Sequence, residues 1–180
     1  MTSTTETTSV EYLGTELGLT FRITVTQDAD GAFSAQIDVL EGSADFNALY
    51  FGDTILDGTS FTLGKSLGMN GAGQVDQDGN VVDWDGALKL SDAGLGKLGE
   101  DKFTFLTAGE SLSVNLSGVD SWDDVAELGI RATSTSTASG SIKTVLEKEE
   151  PDTDPDTDPD GPFIYEPEPV DVTDSYVPIF

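Results

Sequence analysis

The strict alternation of apolar and polar residues is the feature that most constrains the fold of this chain. In "LTFRITVTQ", Phe21, Ile23 and Val25 alternate with threonines and an arginine, and "AFSAQIDVL" repeats the pattern a few residues later. A period of two places alternate side chains on opposite faces of a β-strand. The intervening "DADG" is a turn signal, so residues 19–40 are predicted to form a β-hairpin.

Further short strand candidates follow, separated by Gly, Asp, Asn and Ser at close to hairpin spacing. They are "FNALYFG", "TSFTLG", "NVVDWDGALKL", "DKFTFLT", "SLSVNLSG", "LGIRATST" and "SGSIKTVL". A single helical turn is predicted in "SWDDVAEL", capped by Ser121 or Asp120. We therefore predict an all-β fold: an antiparallel β-sandwich or jelly roll of eight or nine strands with an extended acidic C-terminal tail.

The composition changes abruptly after the predicted sandwich and divides the chain into four segments. Residues 1–18 are hydroxyl-rich and are predicted to be a polar arm, and residues 19–146 are predicted to be the sandwich. Residues 147–162 are an acidic Pro/Asp linker, in which proline and mutual repulsion of carboxylates favour an extended chain. Residues 163–180 regain β-branched and aromatic side chains and are predicted to be strand-like.

The charge of the chain restricts its partners. Eight Lys and Arg against thirty-four Asp and Glu give a formal net charge of −26. Such a field repels nucleic acid and anionic lipid, and no apolar run is long enough to span a bilayer. We therefore expect no nucleic-acid partner and no membrane insertion. Halophilic adaptation would produce the same excess of acids, so the charge alone does not indicate cation binding.

The absence of two residue types excludes several kinds of site. The chain has no Cys and no His, which removes disulfides, thiol nucleophiles, imidazole bases and the common ligands of zinc, iron and copper. Carboxylate sites for hard cations remain, with Ca²⁺ the best candidate. We predict no enzymatic activity, because abundant acids provide carboxylate pairs at suitable separations by chance.

The segment "DQDGNVVDWD" has the spacing of a calcium-binding loop. Asp76, Asp78 and Asn80 stand at alternate positions, which lets their oxygens turn toward one small cation, and Asp83 and Asp85 are predicted to complete the site. The loop lacks the glycine and the glutamate that an EF-hand requires at its sixth and twelfth positions. The alternative is an Asn/Asp-Gly turn on an acidic surface, and the "DADG" turn is a weaker second candidate.

Two other motifs suggest a ligand-binding site, one for a dinucleotide and one for a sugar. "GLGKLG" at 94–99 matches the dinucleotide-binding pattern, but a strand rather than a helix follows it, so these glycines are predicted to form a turn. The aromatic residues Tyr50, Trp84 and Trp122 would suit a sugar-stacking platform, although aromatics this far apart in a sandwich are more typical of a core.

Residues 87–143 resemble a known family of β-sandwich modules. A glycine-rich turn in that module carries a Lys and an Asp, "FTL"-like strands follow, and a "GVRxxSxG…GSxKL" segment ends the module. The matching residues are Gly94, Gly96, Lys97 and Asp101 at the turn and Gly129, Ile130, Arg131, Thr133, Ser134, Gly140, Ser141 and Lys143 at the close. The chain is similar over about residues 19–146 to these secreted acidic modules of marine proteobacteria and cyanobacteria, found beside RTX-type repeats. The resemblance implies no catalytic residues.

The resemblance also implies export by type I secretion. Substrates of that route typically lack Cys and an amino-terminal signal, are acidic, and carry an uncleaved carboxy-terminal signal that ends in apolar residues. The chain has all four features, so we expect it to be secreted and extracellular or at the cell surface. A cytoplasmic protein of a halophile is the alternative for its acidity.

The segment after the acidic linker suggests how the protein acts. Its apolar residues are candidates for a strand that pairs with a sheet edge of a neighbouring molecule, which is β-augmentation. They are Val170, Val172, Tyr176, Ile179 and Phe180. The expected function is a secreted structural, biofilm-matrix or adhesion protein that binds itself, as a homo-oligomer or filament, or another extracellular protein. The alternative is a monomeric calcium- or carbohydrate-binding module whose C-terminal segment is only an export signal.

Overall fold

The structure is a computed structural model that describes residues 8–64 and 66–149. The described residues form two antiparallel sheets, which confirms the predicted all-β sandwich. They contain ten strands: β1 (Thr8–Glu16), β2 (Leu19–Gln27), β3 (Phe33–Glu41), β4 (Ser43–Gly52), β5 (Gly86–Lys89), β6 (Phe105–Thr107), β7 (Ser111–Asn115), β8 (Glu127–Thr133), β9 (Ser141–Val145) and β10 (Glu147–Lys148). The acidic linker from residue 150 and the predicted strand-like segment lie outside the described residues.

The two sheets have simple strand orders. Sheet A runs β10-β1-β2-β3-β7, and sheet B runs β5-β4-β8-β9 with β6 also paired to β4. Because Leu146 alone joins β9 to β10, those two edge strands lie on one side of the sandwich. The edges β7 and β5 therefore lie together on the opposite side.

The predicted hairpin of residues 19–40 is confirmed as β2 and β3. Their register pairs Ile23 with Ile37 and Val25 with Ala35, so the apolar residues of both strands share the inner face. The "DADG" turn is held by the carboxylate of Asp28, which accepts hydrogen bonds from the backbone N–H groups of Asp30 and Ala32, each at 2.9 Å. Such an Asx turn provides the connection that the sequence predicted.

The assignment of residues 1–18 to a polar arm is wrong for residues 8–16, which form β1, the second strand of sheet A. Among the described residues, β1 pairs with β2 along its whole length but with β10 only at Tyr12 and Leu13. Tyr12 of this strand is 1% exposed, and its hydroxyl donates a hydrogen bond to the carbonyl of Val125. The hydroxyl-rich composition concealed a period-two pattern in which Val10, Tyr12 and Gly14 face inward. The described strands also continue to Lys148, two residues past the predicted end of the sandwich.

The main core lies between the sheets. The inner faces of β2 and β3 meet those of β4 and β8, and Phe21 packs edge-to-face on Phe46 with ring centroids 5.3 Å apart. Four alternate residues of β2 are completely buried, namely Leu19, Phe21, Ile23 and Val25. Burial of this apolar surface is the main contribution that stabilises the fold.

The long connection of residues 53–85 covers the outer face of sheet B. It places Met69, Val82 and Trp84 against Ala48 and Tyr50 of β4, forming a second buried cluster. Strand β4 is consequently buried on both faces, which explains its nearly continuous apolar sequence. The predicted strand "TSFTLG" is wrong, because this part of the connection contains no strand, although Phe61 donates a backbone hydrogen bond to Trp84.

Two other predicted strands are shorter than expected, and the predicted helical turn is of a different type. "NVVDWDGALKL" contributes only β5, and "DKFTFLT" only β6. The helical turn in "SWDDVAEL" is a 3₁₀ turn, Asp123–Val125. The predicted cap by Ser121 or Asp120 is wrong, because Trp122 is at the N-cap position and no side chain caps the turn. The carboxylate of Asp124 instead accepts from the backbone N–H groups of Asp120 and Ser121, which precede the turn.

Candidate functional site

A buried polar cluster surrounds Lys102 at one end of sheet B. The Nζ atom of Lys102 lies 2.7 Å from Oδ2 of Asp45, and their side chains are 9% and 0% exposed. The same ammonium donates to the carbonyl oxygens of Asp92, at 2.5 Å, and Gly94, at 2.9 Å. All three protons of the ammonium therefore have acceptors, as a buried charge requires.

The remaining members of the cluster complete the hydrogen bonding of Asp45. Thr104 donates to its Oδ1 at 2.6 Å, and Asn47 donates to its Oδ2 at 2.8 Å. Thr133 donates to the Oδ1 atom of Asn47 at 2.7 Å. No buried side-chain N or O atom in the described part of the chain lacks a partner. The cluster is therefore saturated internally and holds the 90–104 connection against β4.

The sequence contains a pattern that indicates this cluster. Asp45 and Asn47 are two residues apart in a strand that is otherwise apolar, and Lys102 and Thr104 repeat that spacing. In a strand buried on both faces, polar residues two apart share a face and must find partners there. The turn residues singled out by the family resemblance, Lys97 and Asp101, are exposed.

The "GLGKLG" segment forms a turn, as predicted. Gly94, Gly96 and Gly99 have φ angles of 84°, 61° and 59°, a left-handed conformation that favours glycine. No helix of the length that a dinucleotide site needs follows them; a 3₁₀ turn, Gly99–Asp101, leads directly to Lys102. The glycines let the chain bring two carbonyl groups onto the ammonium of Lys102.

The structure separates the five residues of the predicted calcium site into two groups. Asp76 and Asn80 bond each other across a tight turn, with Asn80 Nδ2 2.8 Å from Asp76 Oδ2. These hydrogen bonds lower the pKa of Asp76. Asp78 lies on the same turn. Val75 and Val81 flank it as an isolated β-bridge, which matches the alternative of a turn on an acidic surface.

The other two carboxylates of the predicted calcium site accept hydrogen bonds from the backbone at the start of the connection of residues 53–85. Asp83 accepts from the backbone N–H of Gly58, and Asp85 accepts from that of Asp53, both at 2.8 Å. Across residues 8–64 and 66–149, no group of three or more acidic side chains is arranged to hold a metal ion. These five residues are therefore organised as turn and loop contacts.

Two shallow cavities flank the turn and share Asp76 and Glu127. Their volumes are about 250 and 190 Å³. Burial raises the pKa of Glu127, the charge of Asp76 raises it further, and Lys148 opposes the shift. Burial, with a smaller contribution from Glu127, raises the pKa of Tyr12 to about 12. This region combines like charges with no buried cation, so it is poorly suited to bind an anionic ligand.

The aromatic residues considered for sugar stacking belong to the interior. Tyr50 and Trp84 are 0% and 1% exposed and pack edge-to-face, with ring centroids 5.7 Å apart. Trp122 packs on Phe33 and is partly buried. The interpretation of these residues as core is confirmed for Tyr50 and Trp84.

The side of the sandwich that carries β7 and β5 is the least closed part of the core. The inner-facing residues of the neighbouring strand β3 are at most 3% exposed, but Leu112 and Val114 of β7 are only half-buried. Leu88 and Leu90, on the β5 side, are also half-buried against the same core. We call this surface the open side; it combines two strand edges with four incompletely covered apolar side chains.

The outer face of sheet A is polar. The cross-strand register aligns its side chains in rows that cross β1, β2, β3 and β7. One row is Ser9, Thr26, Ser34 and Asn115, and the next is Glu11, Thr24, Gln36 and Ser113. This face therefore presents hydroxyl and amide groups about 4.8 Å apart across the strands.

The proposed partner-binding strand falls outside the described residues, so Val170, Val172, Tyr176, Ile179 and Phe180 remain predictions. No helix among the described residues is long and apolar enough to cross a membrane. No protein-family model, curated protein or solved structure matches this chain.

Proposed function

We propose that this protein is a secreted, non-enzymatic structural or adhesion protein of the extracellular matrix. It assembles by donating the strand-like segment of residues 163–180 to the sandwich of a neighbouring molecule. The observation that supports this proposal best is the open side, where two strand edges and half-buried Leu112, Val114, Leu88 and Leu90 meet. An added strand would cover this apolar surface and supply main-chain hydrogen bonds.

The proposed contact is heterologous, because the donating segment and the accepting edge are different surfaces. A heterologous contact repeated from copy to copy produces an open chain unless its rotation closes a ring. The high negative charge adds repulsion between copies and opposes indiscriminate association. Filaments are therefore the expected product, with a growth that depends on ionic strength.

Export by type I secretion is part of the proposal and has separate support. It depends on the family resemblance, on the absence of Cys and on the acidic composition. Assembly and export each assign a different role to residues 163–180. Purified protein that has not passed through a secretion apparatus tests the role in assembly alone.

A monomeric carbohydrate-binding module is the second candidate function. The rows of hydroxyl and amide groups on the outer face of sheet A favour it, because they offer hydrogen bonds to a neutral polyhydroxylated surface. This face lacks exposed aromatic rings, and its ion pair of Glu11 with Arg22 is half exposed. Carbohydrate binding would require no strand donation.

Removal of the tail tests the main proposal. A chain truncated after Glu150 is expected to remain monomeric and folded at concentrations at which the full chain forms oligomers or filaments. Size-exclusion chromatography with light scattering and negative-stain electron microscopy measure the difference. A matched pair of full-length variants refines the test. Val170→Asp with Val172→Asp should prevent assembly, whereas Asp171→Asn with Thr173→Ser should preserve it.

Two results would contradict the proposal. Assembly of the truncated chain would show that the tail is unnecessary, and a strictly monomeric full chain at high concentration would favour the carbohydrate-binding module.

A further inference from the structure

We propose that β7 is the acceptor edge, and that residues 170–173 of a second copy add to sheet A beside it. This inference depends on the proposed strand donation and specifies the surface and the side-chain orientation of that contact.

The register determines which backbone groups of β7 point away from sheet A. Leu116 donates to the carbonyl of Phe33, and Val39 donates to that of Glu110, so even-numbered residues of this segment bond β3. Hydrogen-bonded and outward-pointing residues alternate in an antiparallel pair. The N–H and C=O groups of Ser111 and Ser113 consequently point off the edge, with no further strand beside them in the described part of the chain. At the end of the strand, the C=O of Asn115 accepts a hydrogen bond from the N–H of Ser117.

The side chains of β7 match an alternating donor. Its inner-facing Leu112 and Val114 are half-buried and leave apolar surface beside the core. Val170 and Val172 have the same period and would extend that inner layer. The intervening polar residues of the donor, including Thr173, would then continue the rows of serine and asparagine on the outer face.

The other edges of the described sandwich are less suitable. Strand β10 already covers part of β1, and Glu149 donates a further backbone hydrogen bond to Glu11. Strand β9 is flanked by the 3₁₀ turn Gly71–Gln74, where Lys143 bonds Asn70 at 2.7 Å. Strand β5 has only four residues and begins with Gly86. Strand β7 has five residues and no charged side chain, which suits a donor that carries acids.

The length of the linker lets the donor reach a second copy. Strand β10 lies four strand spacings from β7, which is roughly 19 Å across sheet A. Twenty residues, 150–169, separate Glu149 from Val170, which is more chain than this span requires. The second copy is the occupant that the proposed strand donation requires, and the doubly substituted chain described below distinguishes it from the same molecule.

A matched pair of proline variants tests the acceptor. Ser113→Pro removes an outward N–H of β7, whereas Ser9→Pro removes the equivalent outward N–H of β1 on the opposite edge of the same sheet. Proline is tolerated at such edge positions, so both variants should fold, as judged by circular dichroism and melting temperature. Ser113→Pro should raise the concentration needed for assembly by about tenfold or more, and Ser9→Pro should leave it unchanged.

Disulfide trapping tests the orientation without background, because the chain has no Cys. A protein with Ser113→Cys is mixed with a second protein carrying Thr173→Cys, and mild oxidation should produce a covalent dimer. Leu112→Cys, whose side chain faces inward, is the control and should cross-link poorly with Thr173→Cys. A single chain with both Ser113→Cys and Thr173→Cys should likewise form intermolecular species.

The outcomes separate this inference from the proposed function. If truncation after Glu150 abolishes assembly but Ser113→Pro does not impair it, strand donation stands and β7 is not the acceptor. A purely intramolecular disulfide in the doubly substituted chain would overturn the second copy as the occupant. If truncation has no effect, the proposed function itself fails.

Discussion

At the scale of single residues, Lys102 connects the glycine-rich turn to strand β4 of sheet B by hydrogen bonds. Its ammonium has three acceptors, one from the strand and two from the glycine-rich turn. Burial of such a charge is costly unless every hydrogen bond is made, so the ion pair with Asp45 and the neighbouring polar groups act as a unit.

Replacement of Lys102 is expected to destabilise the domain strongly. Lys102→Met leaves the buried carboxylate of Asp45 without its cation, and we expect the free energy of unfolding in urea to fall by about 3–5 kcal/mol. Lys89→Met is the control, because the ion pair of Lys89 with Asp92 is exposed and should contribute little. The double variant Asp45→Asn with Lys102→Met should lose less than the sum of its single changes. A fully additive double variant would contradict this account.

We expect Glu127 to make the stability of the domain depend on pH. Its folded-state pKa is raised, so ionisation disfavours the folded state. This penalty is complete above the raised pKa and disappears as the pH falls through it toward the unfolded value. Glu127→Gln should therefore raise the melting temperature at pH 7 and have a smaller effect at pH 4. Glu16→Gln, at an exposed position, is the control. An equal effect of Glu127→Gln at both pH values would exclude titration as the cause.

At the scale of elements, the connection of residues 53–85 acts as a third layer on sheet B. Trp84 fixes it: its indole N–H donates to the carbonyl of Gly73 at 2.9 Å, and its ring lies over Gly129 of β8. A Cβ atom at Gly129 would lie 2.5 Å from a ring carbon of Trp84 and 2.8 Å from the Cε atom of Met69. The layer therefore depends on the absence of a side chain at this strand position.

A methyl group at Gly129 should loosen this layer. Gly129→Ala is expected to lower the free energy of unfolding by roughly 1–3 kcal/mol, because the added atom overlaps the ring of Trp84. In a Trp84→Phe background the same substitution should cost less, since the smaller ring leaves space. Urea unfolding of the four proteins gives the coupling energy. Additive effects would show that Gly129 and Trp84 do not share this contact.

At the scale of the whole molecule, the excess of acids and the open side act in opposite directions. The charge opposes association of identical chains, whereas half-buried Leu112 and Val114 favour an added strand. Salt shortens the range of the repulsion but hardly changes apolar burial, so assembly should respond to ionic strength. Twelve of the thirty-four acids lie in residues 147–180. The tail that carries the proposed donor therefore contributes about a third of the acids, which favours an uncharged acceptor edge such as β7.

The local pattern of the sequence was sufficient for the all-β class, for the β2–β3 hairpin and for the turn at 94–99. Each depends on residues close in the chain: alternation of side chains, an Asx turn, and glycines with positive φ. The same pattern wrongly predicted a strand in residues 59–64, and the hydroxyl-rich composition wrongly predicted an arm in residues 8–16. Burial by distant residues, such as Val125 on Tyr12, decides whether a weak alternation becomes a strand.

Only the tertiary structure decided which polar residues meet. The spacing of Asp76, Asp78 and Asn80 suggested one metal site, but separate hydrogen bonds occupy Asp76 and Asp83. Asp45 and Lys102 are 57 residues apart, and pairing of β4 with β6 brings them together. Side-chain alternation and turn residues determine the strands and turns, because these effects act between residues that are close in the chain. Long-range pairing sets the polar cluster and the open side, because both arise from contacts that no short segment encodes.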